Sequence, residues 1–284
     1  MANLKEIRNR ITSVSSTMQI TSAMKMVSAA KLKKAQDAIT AMRPYSEKLT
    51  ELIQSLSASL EGDVASKYTT QREVKKVLVV AITSNRGLCG ALNSNVLKQA
   101  RLLAEQYGHD NVGIFAIGKK ANDGLHKTNF VVANRSDIYD DLTFENAAHI
   151  ADSLTHLFID GEYDKIELVY NQFKNAATQV VVTEQFLPLA PIQGSTTTSD
   201  YIFEPSKVEI VMELIPKSLR TQLYKAIRDS FAAEHGARMT AMHKATDNAT
   251  ELRDQLKLTY NKARQAAITG EILEIVGGAE ALNS

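Results

Sequence analysis

The chain has 284 residues, 44% hydrophobic and 23% charged, with a formal net charge of +1. That balance argues against a dedicated nucleic-acid binder, which carries a large positive excess, although it leaves room for a local basic patch. A single cysteine, Cys89, excludes an internal disulfide framework and a multi-cysteine zinc site, and no apolar run approaches the roughly 20 residues that span a bilayer.

The opening residues carry neither a secretory h-region nor an Arg/Ser-rich presequence, so a soluble chain that reaches a membrane only through partners is expected. Residues 1–60 hold one pattern. Steps of three and four connect Leu4, Ile7, Ile11, Val14, Met18, Thr21, Lys25, Ser28, Leu32, Ala35, Ile39, Met42, Ser46, Leu49, Ile53, Leu56 and Leu60. A period near 3.5 is the signature of a coiled-coil helix. Gly and Pro are absent before Pro44, which is expected to kink or divide the helix. The seam turns polar at Thr21, Lys25 and Ser28, while Ile20, Met24 and Val27 stand beside it. Such a change of face predicts contact with something other than the same partner helix.

A polar stretch from Glu61 to Glu73 reads as a linker. The period then changes. Val77–Ile82 is a short, continuous, β-branched apolar run, the mark of a strand buried on both faces. Val112–Ile117, Phe130–Ala133, Ile166–Tyr170 and Val180–Val182 read the same way. Helical stretches lie between them, near Leu92–Tyr107 and Phe144–Ile159. The alternation predicts βαβ units and a mostly parallel, Rossmann-like α/β domain over 75–191. A Ser/Thr-rich loop follows at Ser195–Ser199.

The last arm, 208–284, is helical again, most clearly from Lys217, with Pro216 placed as if at a helix start. Its seam is small: Ala226, Ala233, Ala237, Ala241, Ala245 and Ala249, then Ala263 and Ala267, with Leu252, Leu256, Ile268, Ile272 and Ile275 as larger members. Small residues let two helices approach closely. At ~1.5 Å per residue each arm reaches roughly 80 Å. Neither arm can bury its seam alone, so they pair antiparallel around the middle domain, or else join a bundle of several chains.

The candidate chemistry is weak. Gly113 and Gly118-Lys119 have P-loop spacing, but Lys120 stands where the magnesium-binding hydroxyl belongs, and Ile114–Ile117 is an apolar strand. A buried strand and turn is the simpler reading. Gly87-Leu88-Cys89-Gly90 follows the first strand as a dinucleotide fingerprint would, yet Asn93 stands where a small residue is wanted. A tight turn with a small buried thiol explains it better. The six histidines, His109, His126, His149, His156, His235 and His243, show no ligand spacing. Residues 1–48 carry nine Lys/Arg against three acids. This basic face is either solvated, or meets acidic loops of a partner, or binds nucleic acid, although no stacking aromatics are interleaved with it. No catalytic, cofactor or metal residue is assigned.

Ile268-Thr269-Gly270-Glu271-Ile272-Leu273-Glu274-Ile275-Val276-Gly277-Gly278-Ala279-Glu280-Ala281 resembles the signature of F-type ATP synthase gamma subunits. Ile7–Val14, Gln19–Val27, Pro44-Tyr45, Arg86–Asn93, Ala237–Met239 and Ala245–Ala249 are similar to other parts of that family, in the same order along the whole chain. The resemblance implies a non-catalytic central rotor in the proton-translocating F1Fo complex. One copy would stand in the alpha3beta3 head, coupling rotation of the membrane c-ring to ATP synthesis, and hydrolysis to pumping, and regulating both. It implies alpha, beta, epsilon and c-ring partners, no cofactor and no nucleic acid. The location implied is peripheral, on the cytoplasmic face of a bacterial inner membrane, with a processed organellar chain as the alternative origin. By the same resemblance Met24 is a bearing residue. Arg264 and Gln265 match the contact with a catalytic subunit, and Arg238, Thr269 and Glu271 match coupling residues. Tyr201, Phe203 and Glu204 match the foot on the c-ring. The chloroplast regulatory cysteine pair is absent. Without the resemblance, Thr269 and Glu271 read as helix surface and Arg238 as half of an intramolecular ion pair. The competing functions are a nucleotide-binding α/β enzyme with coiled-coil arms and a nucleic-acid-binding coiled coil.

Overall fold

The seam of the first arm winds into one helix, α1, Leu4–Ser57. In the computed structural model, which describes residues 4–57, 66–128, 130–189 and 207–282, every seam position from Leu4 to Leu49 is buried or half-buried. Pro44 lies inside α1 and does not divide it. Its ring stands on the exposed side, where water can take the carbonyl that loses its intrahelical donor. A single turn, α2, Ser66–Thr69, occupies part of the expected linker. The last arm is also one helix, α6, Lys207–Leu282, which begins well before Pro216 and runs through it. The expected start at Pro216 is therefore corrected. Ile215 and Leu219 on either side are 1% exposed, and their packing outweighs the single hydrogen bond that a proline removes.

The described chain forms two compact units. One holds Ala29–Arg238. Its centre is a five-stranded sheet in the order β3-β2-β1-β4-β5, with β1 Val77–Ile82, β2 Val112–Ile117, β3 Phe130–Asn134, β4 Lys165–Phe173 and β5 Gln179–Leu187. The first four strands are parallel, and β4 and β5 are antiparallel. The exception is dictated locally. Asn175 and Thr178 exchange backbone hydrogen bonds of 3.3 and 3.2 Å, and the Asn175 side chain accepts from the Ala177 and Thr178 amides at 3.0 and 2.8 Å. So tight a turn cannot carry a crossover, and the next strand must run back. The other connections are helical: α3 Leu92–Tyr107, α4 Lys119–Leu125 and α5 Phe144–Ile159. The last has Thr143 as N-cap, accepting from the Asn146 amide at 3.3 Å.

Because successive strand residues point to opposite faces, β1 builds two cores. Leu78, Val80 and Ile82 pack with Ile150, Leu154 and Phe158 of α5 and with Leu219, Leu223 and Ile227 of α6. Val77, Val79 and Ala81 pack with Val96, Ala100 and Leu103 of α3 and with Ala121 and Leu125 of α4. One face of the sheet is thus roofed by the early part of α6. Leu32, Ala35, Ile39 and Leu49 of α1 are also buried, each at 2–5% exposure.

The other unit is Met1–Ser28 with Met239–Ser284. Here the two helices run antiparallel. The Thr250 hydroxyl reaches Met18 Sδ at 3.3 Å, the Thr246 hydroxyl donates to Thr21 at 2.8 Å, and Lys25 Nζ lies 3.3 Å from His243 Nδ1. Each step forward on α1 is a step back on α6.

Candidate functional site

In the α/β unit the polar chemistry gathers where α6 crosses the turn after β1. Ser84 donates its hydroxyl to the Arg86 carbonyl at 2.5 Å. Asn93 accepts from the Ser84 amide at 3.0 Å and donates to the Ser84 hydroxyl at 2.8 Å and to Cys89 Sγ at 3.2 Å. Leu88 and Gly90 both take left-handed backbone, with φ of 61°. The turn therefore holds a non-glycine residue in a conformation that costs about 1–2 kcal/mol, and it presents Leu88 at 65% exposure. Cys89 is buried, and burial pushes its thiol up, against a lowering hydrogen bond from Ser84. It is a protonated structural thiol.

Over this turn lies Arg238, 7% exposed. Its Nη2 is 2.6 Å from Glu234 Oε1, one helical turn earlier. Nη2 also donates to the Arg86 and Gly87 carbonyls at 3.2 and 3.1 Å, and Nε donates to Gly87 at 3.3 Å. Glu234 is itself 7% exposed. Burial raises its carboxyl above the usual range, against the lowering effect of Arg238, Lys31 and Arg86. His235 sits beside the pair, with Nδ1 3.5 Å from Arg238 Nη1. Burial, then Arg238 and Lys31, depress its pKa to about 4, so it is neutral. Its Nε2 is buried, with no hydrogen-bond partner among the described residues. The Phe231 ring packs edge-on against it at 4.5 Å.

The same geometry answers the two glycine motifs. The first amides of α4 are already taken. Lys119 N donates to Asn85 Oδ1 at 2.8 Å, Lys120 N to the Ser84 carbonyl at 3.1 Å, and Ala121 N to the Thr83 hydroxyl at 2.7 Å. Gly118, with φ of 100°, lies so close that a Cβ there would collide with the Thr83 carbonyl. The P-loop spacing is a strand followed by a helix start filled by protein groups. At Gly87–Gly90 the side chain of Asn93 and the guanidinium of Arg238 occupy the turn. Among the described residues no group of three or more His, Cys, Asp and Glu could hold a metal ion, and no helix is long and apolar enough to cross a membrane.

In the helical unit the polar seam is buried: Thr21 is 8% and Ser28 3% exposed. Ile20, Met26 and Val27 point outward at 59%, 65% and 57%, and Met24 is half-buried among them. The apolar face expected at this level exists and, as expected, faces away from the partner helix. Continuing the antiparallel register sets Arg264 opposite Leu4. Beyond it α6 extends past the described part of α1, and Arg264, Gln265, Thr269 and Glu271 are all exposed. Ile268, Ile272, Leu273, Ile275 and Val276 are exposed with them, at 48–71%. Ile268, Ile272 and Ile275, read as seam members, are therefore surface residues.

Of the sequence candidates, Met24 and the four on the last helical stretch belong to the helical unit. Arg238 belongs to the α/β unit as half of an ion pair. Tyr201, Phe203 and Glu204 lie outside the described residues, as does the 195–199 loop. Sequence reading missed Glu234, His235 and the structural part of Asn93. The i,i+4 spacing of Glu234 and Arg238 was the available signal.

Residues 3–282 match the family model described as ATP synthase. The ATP synthase gamma chain of Flavobacterium johnsoniae is 77% identical over 285 residues, covering 100% of both chains. That of Flavobacterium psychrophilum is 76% identical over 99% of both, and that of Cytophaga hutchinsonii 52% over 100% of both. Among solved structures, the central stalk and c-ring of the Tetrahymena thermophila mitochondrial ATP synthase contains a chain 27% identical, with a TM-score of 0.61, covering 80% of this chain and 99% of that one. A chain of the Euglena gracilis mitochondrial ATP synthase shares the fold, with a TM-score of 0.69 at 22% identity over 98% of this chain and 94% of that one. With two long terminal helices, a five-stranded sheet between them and full-length identity of this order, the chain belongs to the ATP synthase gamma chain family.

Proposed function

We infer that the chain is the central rotor subunit of a rotary ATP synthase, a non-catalytic part that links rotation of a membrane ring to synthesis or hydrolysis in an alpha3beta3 head. The observation that carries this is the α6 segment from Arg264 onward. Here five large apolar residues at 48–71% exposure share a helix with Arg264, Gln265, Thr269 and Glu271. A surface of that composition is stable in water only when something covers it. The bore of a catalytic hexamer, which must grip and release in turn, fits alternating apolar and charged residues. Met24, half-buried among exposed Ile20, Met26 and Val27, suits the bearing, since Met is apolar and adaptable. Arg264 and Gln265 are read as contacts with a catalytic subunit, Arg238, Thr269 and Glu271 as coupling residues, and Tyr201, Phe203 and Glu204 as the foot on the c-ring.

In this reading 1–60 and 208–284 form the shaft, and 75–191 is the central α/β domain. An epsilon subunit is a further partner. The complex is membrane-bound through other subunits, with this chain on the cytoplasmic face of a bacterial inner membrane. The filled amide groups at the start of α4 weigh against the nucleotide-enzyme alternative. The test is reconstitution with alpha and beta subunits. A discrete complex holding one copy, far more active in ATP hydrolysis than alpha and beta alone, is expected. A chain that stays outside the complex, or that hydrolyses ATP by itself, sinks the rotor reading.

A further inference from the structure

The α/β unit packs on α6 through aliphatic side chains such as Leu219, Leu223 and Ile227. Such contacts are non-directional: they hold the helix against the sheet but resist twisting about its axis weakly. Directional bonds lie in a row along α6. Arg220 pairs with Asp152 of α5 at 2.7 Å. Gln222 donates to Glu184 of β5 at 2.8 Å and to the Gln185 carbonyl at 3.1 Å. Arg228 donates to the Leu142 carbonyl at 3.0 Å. Arg238 donates to the Arg86 and Gly87 carbonyls. Arg220 is 40% exposed at its side chain and Asp152 36%, whereas Arg238 and Glu234 are 8% and 9%. The Arg238 bonds are therefore better shielded from competing water than the Arg220 pair.

A buried ion pair is a poor device for stability alone, because apolar residues of similar volume usually serve as well or better. What it supplies is direction. The acceptors here are backbone carbonyls of a turn already fixed by Ser84 and Asn93, so the guanidinium is tied to a rigid point. Its plane is set from the other side by Glu234. On the rotor reading, on which this rests, α6 must turn together with the α/β domain.

We propose that Glu234 is a positioning residue of the rotor: by holding the Arg238 guanidinium on the Arg86 and Gly87 carbonyls, it fixes the angular register of α6 against the α/β domain and so the efficiency of coupling. Glu234 acts through Arg238, whose guanidinium it holds at 2.6 Å.

The test uses the whole complex in membrane vesicles and reads proton pumping per ATP hydrolysed. Glu234→Gln should lower that ratio by about threefold, on the scale of one net hydrogen bond. The double variant Glu234→Met/Arg238→Met removes the direction but keeps the volume. It should assemble and melt like the unsubstituted complex, yet show the same lowered ratio. Glu234→Asp together with unchanged Arg238 should recover part of it. An unchanged ratio in an assembled double variant overturns the proposal. So does failure of the double variant to assemble, which would make the pair a requirement of the fold and not of coupling. Failure of the unsubstituted chain to enter an active complex would instead defeat the rotor reading itself.

Discussion

Replacing Arg238 alone with Met leaves Glu234 stranded. The carboxylate is 7% exposed and loses the 2.6 Å partner that compensates it, while the Arg86 and Gly87 carbonyls lose their donor. Removing one member of a buried pair costs about 3–5 kcal/mol, a large fraction of the stability of an ordinary domain. The cost depends on pH in a definite direction. The folded-state pKa of Glu234 is raised by burial even with Arg238 present, and it must rise further without it. A carboxyl raised in the folded state binds more protons there than in the unfolded chain, so stability is greatest below the unfolded value and falls as pH rises towards the folded value. Urea unfolding of the full chain, followed by circular dichroism, should show Arg238→Met more destabilised at pH 8 than at pH 5. A deficit of equal size at both would mean that the stranded carboxylate is not its source. The double variant with Met at both positions should recover most of the loss at pH 8.

Leu154→Ala empties a site with no exposure between α5 and the sheet and should cost about 2–5 kcal/mol in the same unfolding assay. Met24→Lys puts a charge on the outward apolar face beside Ile20 and Val27; pumping per ATP hydrolysed should fall while assembly survives, and unchanged pumping would remove Met24 from the bearing. Ile272→Asp lies at 55% exposure. It should leave the melting temperature of the isolated chain nearly unmoved and lower its activation of alpha–beta ATP hydrolysis.

Much of this was legible in the residues. The apolar run Val77–Ile82 is a strand with no exposure anywhere, and the seam from Leu4 to Leu49 is the inner face of α1. Both signals are strong because burial on two faces, or on one stripe, leaves a period that survives any surface change. Pro216 misled for the opposite reason: a helix start at a proline is a local rule, and the packing of Ile215 and Leu219 outweighed it. The antiparallel β5 was missed because its cause is a turn closed by the Asn175 side chain, which leaves no trace in hydrophobic period. The outward face at Ile20 and Val27 was visible as a break in the seam.

By itself, then, the sequence determined which stretches are helix and strand, which residues lie inside, and through its C-terminal signature which family the chain joins. These depend on near neighbours and on periodicity, which a linear string contains. Only the tertiary structure decided that Arg238 and Glu234 close over the turn at Arg86 and Gly87, that Asn93 ties Ser84 to Cys89 beneath it, and that His235 is buried and neutral. Arg238 and Gly87 are 151 positions apart, and nothing local to either names the other. Their meeting follows from the sheet order that sets β1 at the centre and from the face on which α6 packs, and both of these are properties of the assembled chain.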